Sequence, residues 1–113
     1  MLPSGGTGTR SYDRFRKLQL AEGMRPAFDG LREFCIALGD DVMEDVRPHR
    51  VVFCKSMNTR WFADAKPADD RADAIRIKIS RGWRGPIQTV YMGRDGATQE
   101  IKRLIRAAYD KAH

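Results

Sequence analysis

Residues 75–80 alternate strictly between isoleucine and a polar residue, as Ile75-Arg76-Ile77-Lys78-Ile79-Ser80. Side chains of an extended strand point to opposite faces in turn, so the isoleucines share one face while Arg76, Lys78 and Ser80 share the other. A strand with one apolar and one basic face belongs in a sheet that is covered on one side only. It runs into Arg81-Gly82-Trp83-Arg84-Gly85-Pro86, where the glycines and the proline predict a turn that carries a tryptophan between arginines.

The flanking segments have a different period. Over residues 26–38, Phe28, Leu31, Phe34, Cys35 and Leu38 recur at the three-and-four spacing of a buried helical stripe, with Pro26 suited to the first turn and Gly39 to the stop. At the other end Ile101, Leu104, Ile105, Ala108, Tyr109 and Ala112 form the apolar stripe of a second helix, whose opposite face carries Lys102, Arg103, Arg106 and Lys111. Between them lie a short segment with Val42 and Val46 ending at Pro48, then strands over 50–55 and 60–65 joined by a turn at Ser56, Met57 and Asn58. Residues 66–73 read as a polar loop, and a last strand over 87–92 precedes the turn Gly93-Arg94-Asp95-Gly96. The order is helix, four or five strands, helix, without βαβ alternation. This predicts an α+β two-layer sandwich: a mostly antiparallel sheet with both helices on one face.

Ahead of this core, residues 1–10 have the glycine- and serine-containing composition of a flexible tail, and no phosphate-loop pattern occurs. Tyr12, Phe15, Leu18 and Leu20 then define a short amphipathic arm, capped by Ser11 and ended at Gly23. The expected organisation is a tail and arm over 1–24 and one core domain over 25–113. A chain of 113 residues can bury a core without covalent staples. Cys35 and Cys54 both sit in apolar runs without a C-x-x-C pattern, so they are expected as buried, reduced thiols. With no secretory h-region and no membrane-length apolar run, the expected setting is the cytoplasm.

Charge is unevenly divided along the chain. The net charge of +6 is distributed as +2 over residues 1–24, −3 over 25–48, +3 over 49–80 and +4 over 81–113. An acidic first helical region followed by a basic C-terminal third suits an anionic partner such as nucleic acid, or self-association of acidic and basic ends.

Four stretches together resemble an uncharacterised bacterial family. They are Arg25-Pro26-Ala27-Phe28-Asp29-Gly30-Leu31, Leu38-Gly39-Asp40-Asp41-Val42, Arg60-Trp61-Phe62-Ala63 with Pro67, and Leu104-Ile105-Arg106-Ala107-Ala108-Tyr109. That family is a domain of unknown function, a small α+β unit at the C-terminus of longer proteins, found behind a small helical domain or nuclease-like domains and sometimes labelled a predicted transport protein. The resemblance runs over about four-fifths of the chain and rests on core and turn residues, so it implies a fold; the family has no agreed catalytic residues. The passage from Ile79 to Ile87 departs from its pattern by being shorter and by carrying Trp83.

Among candidate chemistries, Asp45, Asp64 and Lys66 follow the order of a metal-dependent nuclease core, a pattern that chance also supplies in a chain one-third charged. Neither His49 nor His113 has a zinc-ligand neighbour, and Cys54 lacks a nucleophile context. The turn at 93–96 offers Arg94 and a helix N-terminus to an anion, with Asp95 or Thr98 as the ordinary cap. The richest constellation is Arg76, Lys78, Arg81, Trp83 and Arg84, which combines phosphate attraction with a ring on which a base can stack. The expected function is therefore a non-catalytic module, with no cofactor or metal, that contacts nucleic acid or a nucleic-acid-processing partner through Arg76, Lys78, Arg81, Trp83, Arg84 and Arg94. The alternatives are a protein-interaction or homo-oligomerisation module acting through Tyr12, Phe15 and Leu18, and thirdly a metal-dependent nuclease-like enzyme.

Overall fold

The computed structural model describes residues 20, 23–55, 60–71, 73–80 and 85–112. Helix α1 (Arg25–Ile36) is followed by strands β1 (Val42–Val46), β2 (Val51–Lys55), β3 (Arg60–Pro67), β4 (Ile75–Ser80) and β5 (Ile87–Met92), and then by helix α2 (Gln99–Lys111). The strands form one antiparallel meander in the order β1-β2-β3-β4-β5. Phe28, Leu31 and Cys35 of α1 and Ile101, Leu104, Ile105 and Ala108 of α2 join Val51, Phe53, Phe62, Ala63, Ala65, Ile75, Ile77 and Ile79 in a single buried cluster. Both helices therefore cover the same face of the sheet. The α+β sandwich read from the periodicities is the fold.

Three local features differ from the sequence expectation, each for a physical reason. The segment 42–46 is a full strand, although its helix-facing positions read Val42-Glu44-Val46 rather than as apolar letters throughout. Glu44 is accommodated because Arg32 of α1 donates to both of its carboxylate oxygens, its Nη2 to Oε1 at 2.8 Å. Lys66 and Pro67 extend β3 instead of opening a loop, since they pair with Arg76 and Ile75 of β4. Helix α1 ends at Ile36, with the Ala37 N–H bonded to the carbonyl of Glu33, so Gly39 is not its stop.

Gly39 serves instead to let Tyr109 approach. A Cβ at position 39 would fall within contact distance of the Tyr109 hydroxyl and 2.8 Å from Asp41 Oδ1. That hydroxyl donates to Asp41 Oδ1, while the ring stands edge-on to Phe62 with centroids 5.5 Å apart. The bond to Asp41, which holds the phenol proton in place, pushes the Tyr109 pKa up, and burial and the carboxylate charge add to it. Tyr91, Trp61 and Cys54 lie on the other side of the sheet, opposite the helices, by the strand registers. Cys54 is thus half-buried on the second face, unlike Cys35, which is in the core.

At the N-terminal end, Met24 is buried in the core and Leu20 packs against it, so apolar contacts begin ahead of residue 25. Tyr12, Phe15 and Leu18 lie outside the described residues. No helix among the described residues is long and apolar enough to cross a membrane.

Two measurements check this account. Ile77 is fully buried between Ala65 and Val90. Ile77→Asp should cost at least about 3 kcal/mol in denaturant unfolding, whereas Lys78→Thr on the opposite face should stay within about 1 kcal/mol. In the second, Gly39→Ala should cost about 1–3 kcal/mol by overpacking, and less in a Tyr109→Phe background, where the hydroxyl is gone. Because the folded tyrosine titrates above its ordinary value near 10, its contribution should be present below that pH and lost as pH rises through the raised value. Tyr109→Phe should remove that alkaline loss.

Candidate functional site

The face opposite the helices is ordered into rows by the strand pairing. One row runs Asp45, Val52, Asp64, Lys78, Thr89 across the five strands. The next row lies two residues further along, toward the β1–β2 turn. There the Arg47 N–H donates to the carbonyl of Arg50 at 2.8 Å, which extends the ladder past the Val46–Val51 pair and leaves Pro48 and His49 as the turn. The β2–β3 register places Arg50 opposite Lys66, Lys66 pairs with Arg76, and Arg76 pairs with Tyr91. The row thus reads Arg47, Arg50, Lys66, Arg76, Tyr91. With neighbouring strands about 4.8 Å apart, its cations span roughly 15 Å.

Arg47, Pro48, His49, Arg50, Lys66 and Arg76 line a pocket of about 360 Å³ at this end of the sheet. No carboxylate lines it. The balancing acids stand beside it: Arg47 Nε lies 2.9 Å from Asp45, Arg50 Nη1 3.5 Å from Asp64, Lys66 Nζ 3.2 Å from Asp69, and Arg76 Nη1 3.8 Å from the same Asp69. The two inner cations are drawn in, with side chains only 24% exposed for Lys66 and 22% for Arg76. The Arg76 Nε–H is buried and meets no acceptor, and Asp64 Oδ1 is likewise buried without a donor. Like charges side by side across a sheet work against its stability. The three carboxylates offset most of that repulsion, and four cations against three acids leave a positive surplus at this end of the sheet.

Two aromatic side chains accompany the cations. Tyr91 is 43% exposed and has the Arg71 guanidinium over its ring at 4.5 Å. Trp61, half-buried, pairs with Cys54, which in turn pairs with the exposed Met43 of β1. Ile87 at the far end of β5 is also exposed. Cys54 titrates high, first because of partial burial and then because of the Asp45 carboxylate, against which Arg47 acts; burial pushes the core thiol of Cys35 far higher. Neither thiol is an activated nucleophile.

The residues singled out in the sequence are distributed as follows. Arg76 and Lys78 share the helix-free face in adjacent rows, whereas Arg81, Trp83 and Arg84 lie outside the described residues. Arg94 is in the turn after β5, beside Gly23, and lines a separate pocket of about 320 Å³ with Pro26, Gly30 and Lys102 on the helix layer. The helix N-terminus next to it is capped in the ordinary way, the Thr98 hydroxyl accepting the Ile101 N–H at 3.1 Å. The nuclease-like trio is not gathered: Asp45 and Asp64 share a row with Val52 between them, each paired with an arginine, Arg47 and Arg50, while Lys66 stands in the next row paired with Asp69. Among the described residues no three His, Cys, Asp or Glu side chains converge on a metal site.

Arg47, Arg50 and Lys66 were not legible as partners of Arg76, because only the register joins them. A signal does exist in Arg47-Pro48-His49-Arg50, a turn between two valine-bearing segments that brings its flanking arginines to one face. No family model, curated protein or solved structure matches the chain.

Proposed function

We propose that this protein is a non-catalytic module that binds nucleic acid on the sheet face opposite the helices. The observation that carries the reading is the cationic row of Arg47, Arg50, Lys66 and Arg76, with Lys78 in the adjoining row and Tyr91 at its end. Cations on successive strands present a charge track to a phosphate backbone, and releasing its counterions drives association. Tyr91, with the Arg71 guanidinium over its ring, stands at the edge of the track, and Trp83 follows β4 in the sequence, so aromatic residues accompany the cations as single-strand binding requires. Phosphate contacts of this kind position a polymer without reading its sequence.

A second reading, association with protein, is favoured by one observation. β5 is an edge strand of the sheet, its six residues carry no charge, and Ile87 and Tyr91 are exposed on it. Such an edge is open to pairing with another strand.

Fluorescence anisotropy with a short labelled oligonucleotide separates the two. In the nucleic-acid reading, binding is strong in dilute salt and falls as salt rises, and Arg76→Ala and Lys78→Ala each lower the salt slope by about one. Tyr91→Ala and Trp83→Ala should cost about 1–3 kcal/mol on single strands and much less on duplex, whose base faces are covered. An absence of binding in dilute salt, together with a sedimentation mass that climbs with protein concentration, would replace this reading with the second.

A further inference from the structure

The track is not uniform along its length, and its end at the β1–β2 turn has the form of a receptor for a single group. Lys78 stands in the adjoining row, outside the pocket that Arg47, Arg50, Lys66 and Arg76 line together with Pro48 and His49. We propose that this pocket binds a terminal phosphate, a phosphomonoester at the end of a nucleic-acid strand. The inference rests on the nucleic-acid reading and adds to it a preference for phosphorylated ends.

The chemistry of the lining selects the class of ligand. Three guanidinium groups supply planar forks of N–H donors and Lys66 adds a mobile point charge; the lining itself holds no carboxylate, and the three carboxylates that pair with these four cations, Asp45, Asp64 and Asp69, stand behind it. Such a set suits an anion with several oxygens over any cation or neutral group. An internal phosphodiester carries one negative charge and two free oxygens, whereas a terminal monoester carries close to two charges and three free oxygens. Only the second can engage several of these cations without leaving most of them facing one another. The acids nearby are fewer than the cations: Asp69 is shared between Lys66 and Arg76, so four cations stand beside three carboxylates. An anion brought by a ligand would offset the charge left over.

The location supports an end over a midpoint. One side of the row adjoins the sheet face through Lys78 and Asp64, along which a strand would run. At the β1–β2 turn Pro48 and His49 join Arg47 and Arg50 in lining the pocket. A strand that runs along the face toward this turn brings its last phosphate to the pocket.

The test uses the full chain and single-stranded oligonucleotides labelled at the end away from the phosphate. Each is compared as the phosphorylated form, the hydroxyl form, and a hydroxyl form one nucleotide longer, which adds charge as an internal diester; the series is made for both the 5′ and the 3′ end. In one polarity the phosphorylated form should bind at least about tenfold more tightly than both hydroxyl forms. Inorganic phosphate should compete for that difference. Arg50→Gln and Arg76→Gln should each bring the ratio toward one, while Lys78→Ala weakens all forms in proportion. Thermal melts confirm folding, and if Arg76→Gln does not fold, Arg50→Gln carries the comparison from its exposed turn position. A ratio below about twofold at both ends, the scale of one extra charge, or a ratio that neither arginine variant changes, overturns the pocket and leaves the face reading standing. Binding of a nucleoside monophosphate that Arg50→Gln abolishes, by a protein that binds no oligonucleotide, upholds the pocket and overturns the polymer reading. Binding of neither overturns both.

Discussion

Strand β3 has to satisfy two demands that a regular strand cannot meet together. Phe62 must face the helices, where it meets Phe53 and Tyr109, while Asp64 and Lys66 must face away from them, beside Lys78 and Arg76. Residues 62, 64 and 66 fall on one side of any regular strand, because side chains alternate with a period of two. The conflict is resolved by one extra residue: Phe53 pairs with Ala63 and Cys54 pairs with Trp61, so Phe62 has no partner of its own in β2. Such a bulge lets Phe62 and Ala63 both turn toward the core and resets the alternation beyond them. Without it, either the largest aromatic contact of the core or the alignment of Lys66 with Arg50 and Arg76 would be lost.

The two faces of the sheet treat charge in opposite ways. On the helix side, Glu44 is almost enclosed and is matched by the two-toothed grip of Arg32, while Asp29 is held by Arg25 at 3.2 Å. Asp41 takes the Tyr109 proton bond. Several acids of the segment that carries −3 are thus used within the fold, which leaves less of that segment available to attract a basic region of another copy. On the other side, cations outnumber the acids in the row that ends at the β1–β2 turn, and those acids sit outside the pocket. Breaking the Arg32–Glu44 pair would leave a charge stranded against the core, and Arg50 does the same service for the buried Asp64. What sets the second face apart is the surplus of four cations over three acids, which leaves positive charge at the pocket.

The same contrast separates the two regions that looked able to hold an anion. The turn before α2 has the Ile101 N–H answered by the Thr98 hydroxyl, and its Arg94 lies against Gly23 in the helix layer. The pocket at the other layer keeps a buried guanidinium N–H unanswered. Three arginines and Lys66 line that pocket, which gives an incoming anion a surplus of charge and several N–H donors that the capped helix end does not offer.

Local periodicity was enough to determine both helices, the β4 alternation and the layering. A three-and-four stripe and a strict period of two each have one way to bury their apolar letters. Arg76 and Lys78 were legible as a basic face for the same reason. Strand β1 was hidden because a charged residue occupied a helix-facing position, and only the arrival of Arg32 from α1 makes that tolerable. Gly39 read as a helix stop, yet its need comes from Tyr109, seventy residues further along the chain. The joining of Arg47 and Arg50 to Lys66 and Arg76, and the presence of Tyr91 at their end, were decided by the tertiary structure alone. Cross-strand register depends on turn lengths and on the single extra residue in β3, and a shift of one position would have sent those side chains to the opposite face.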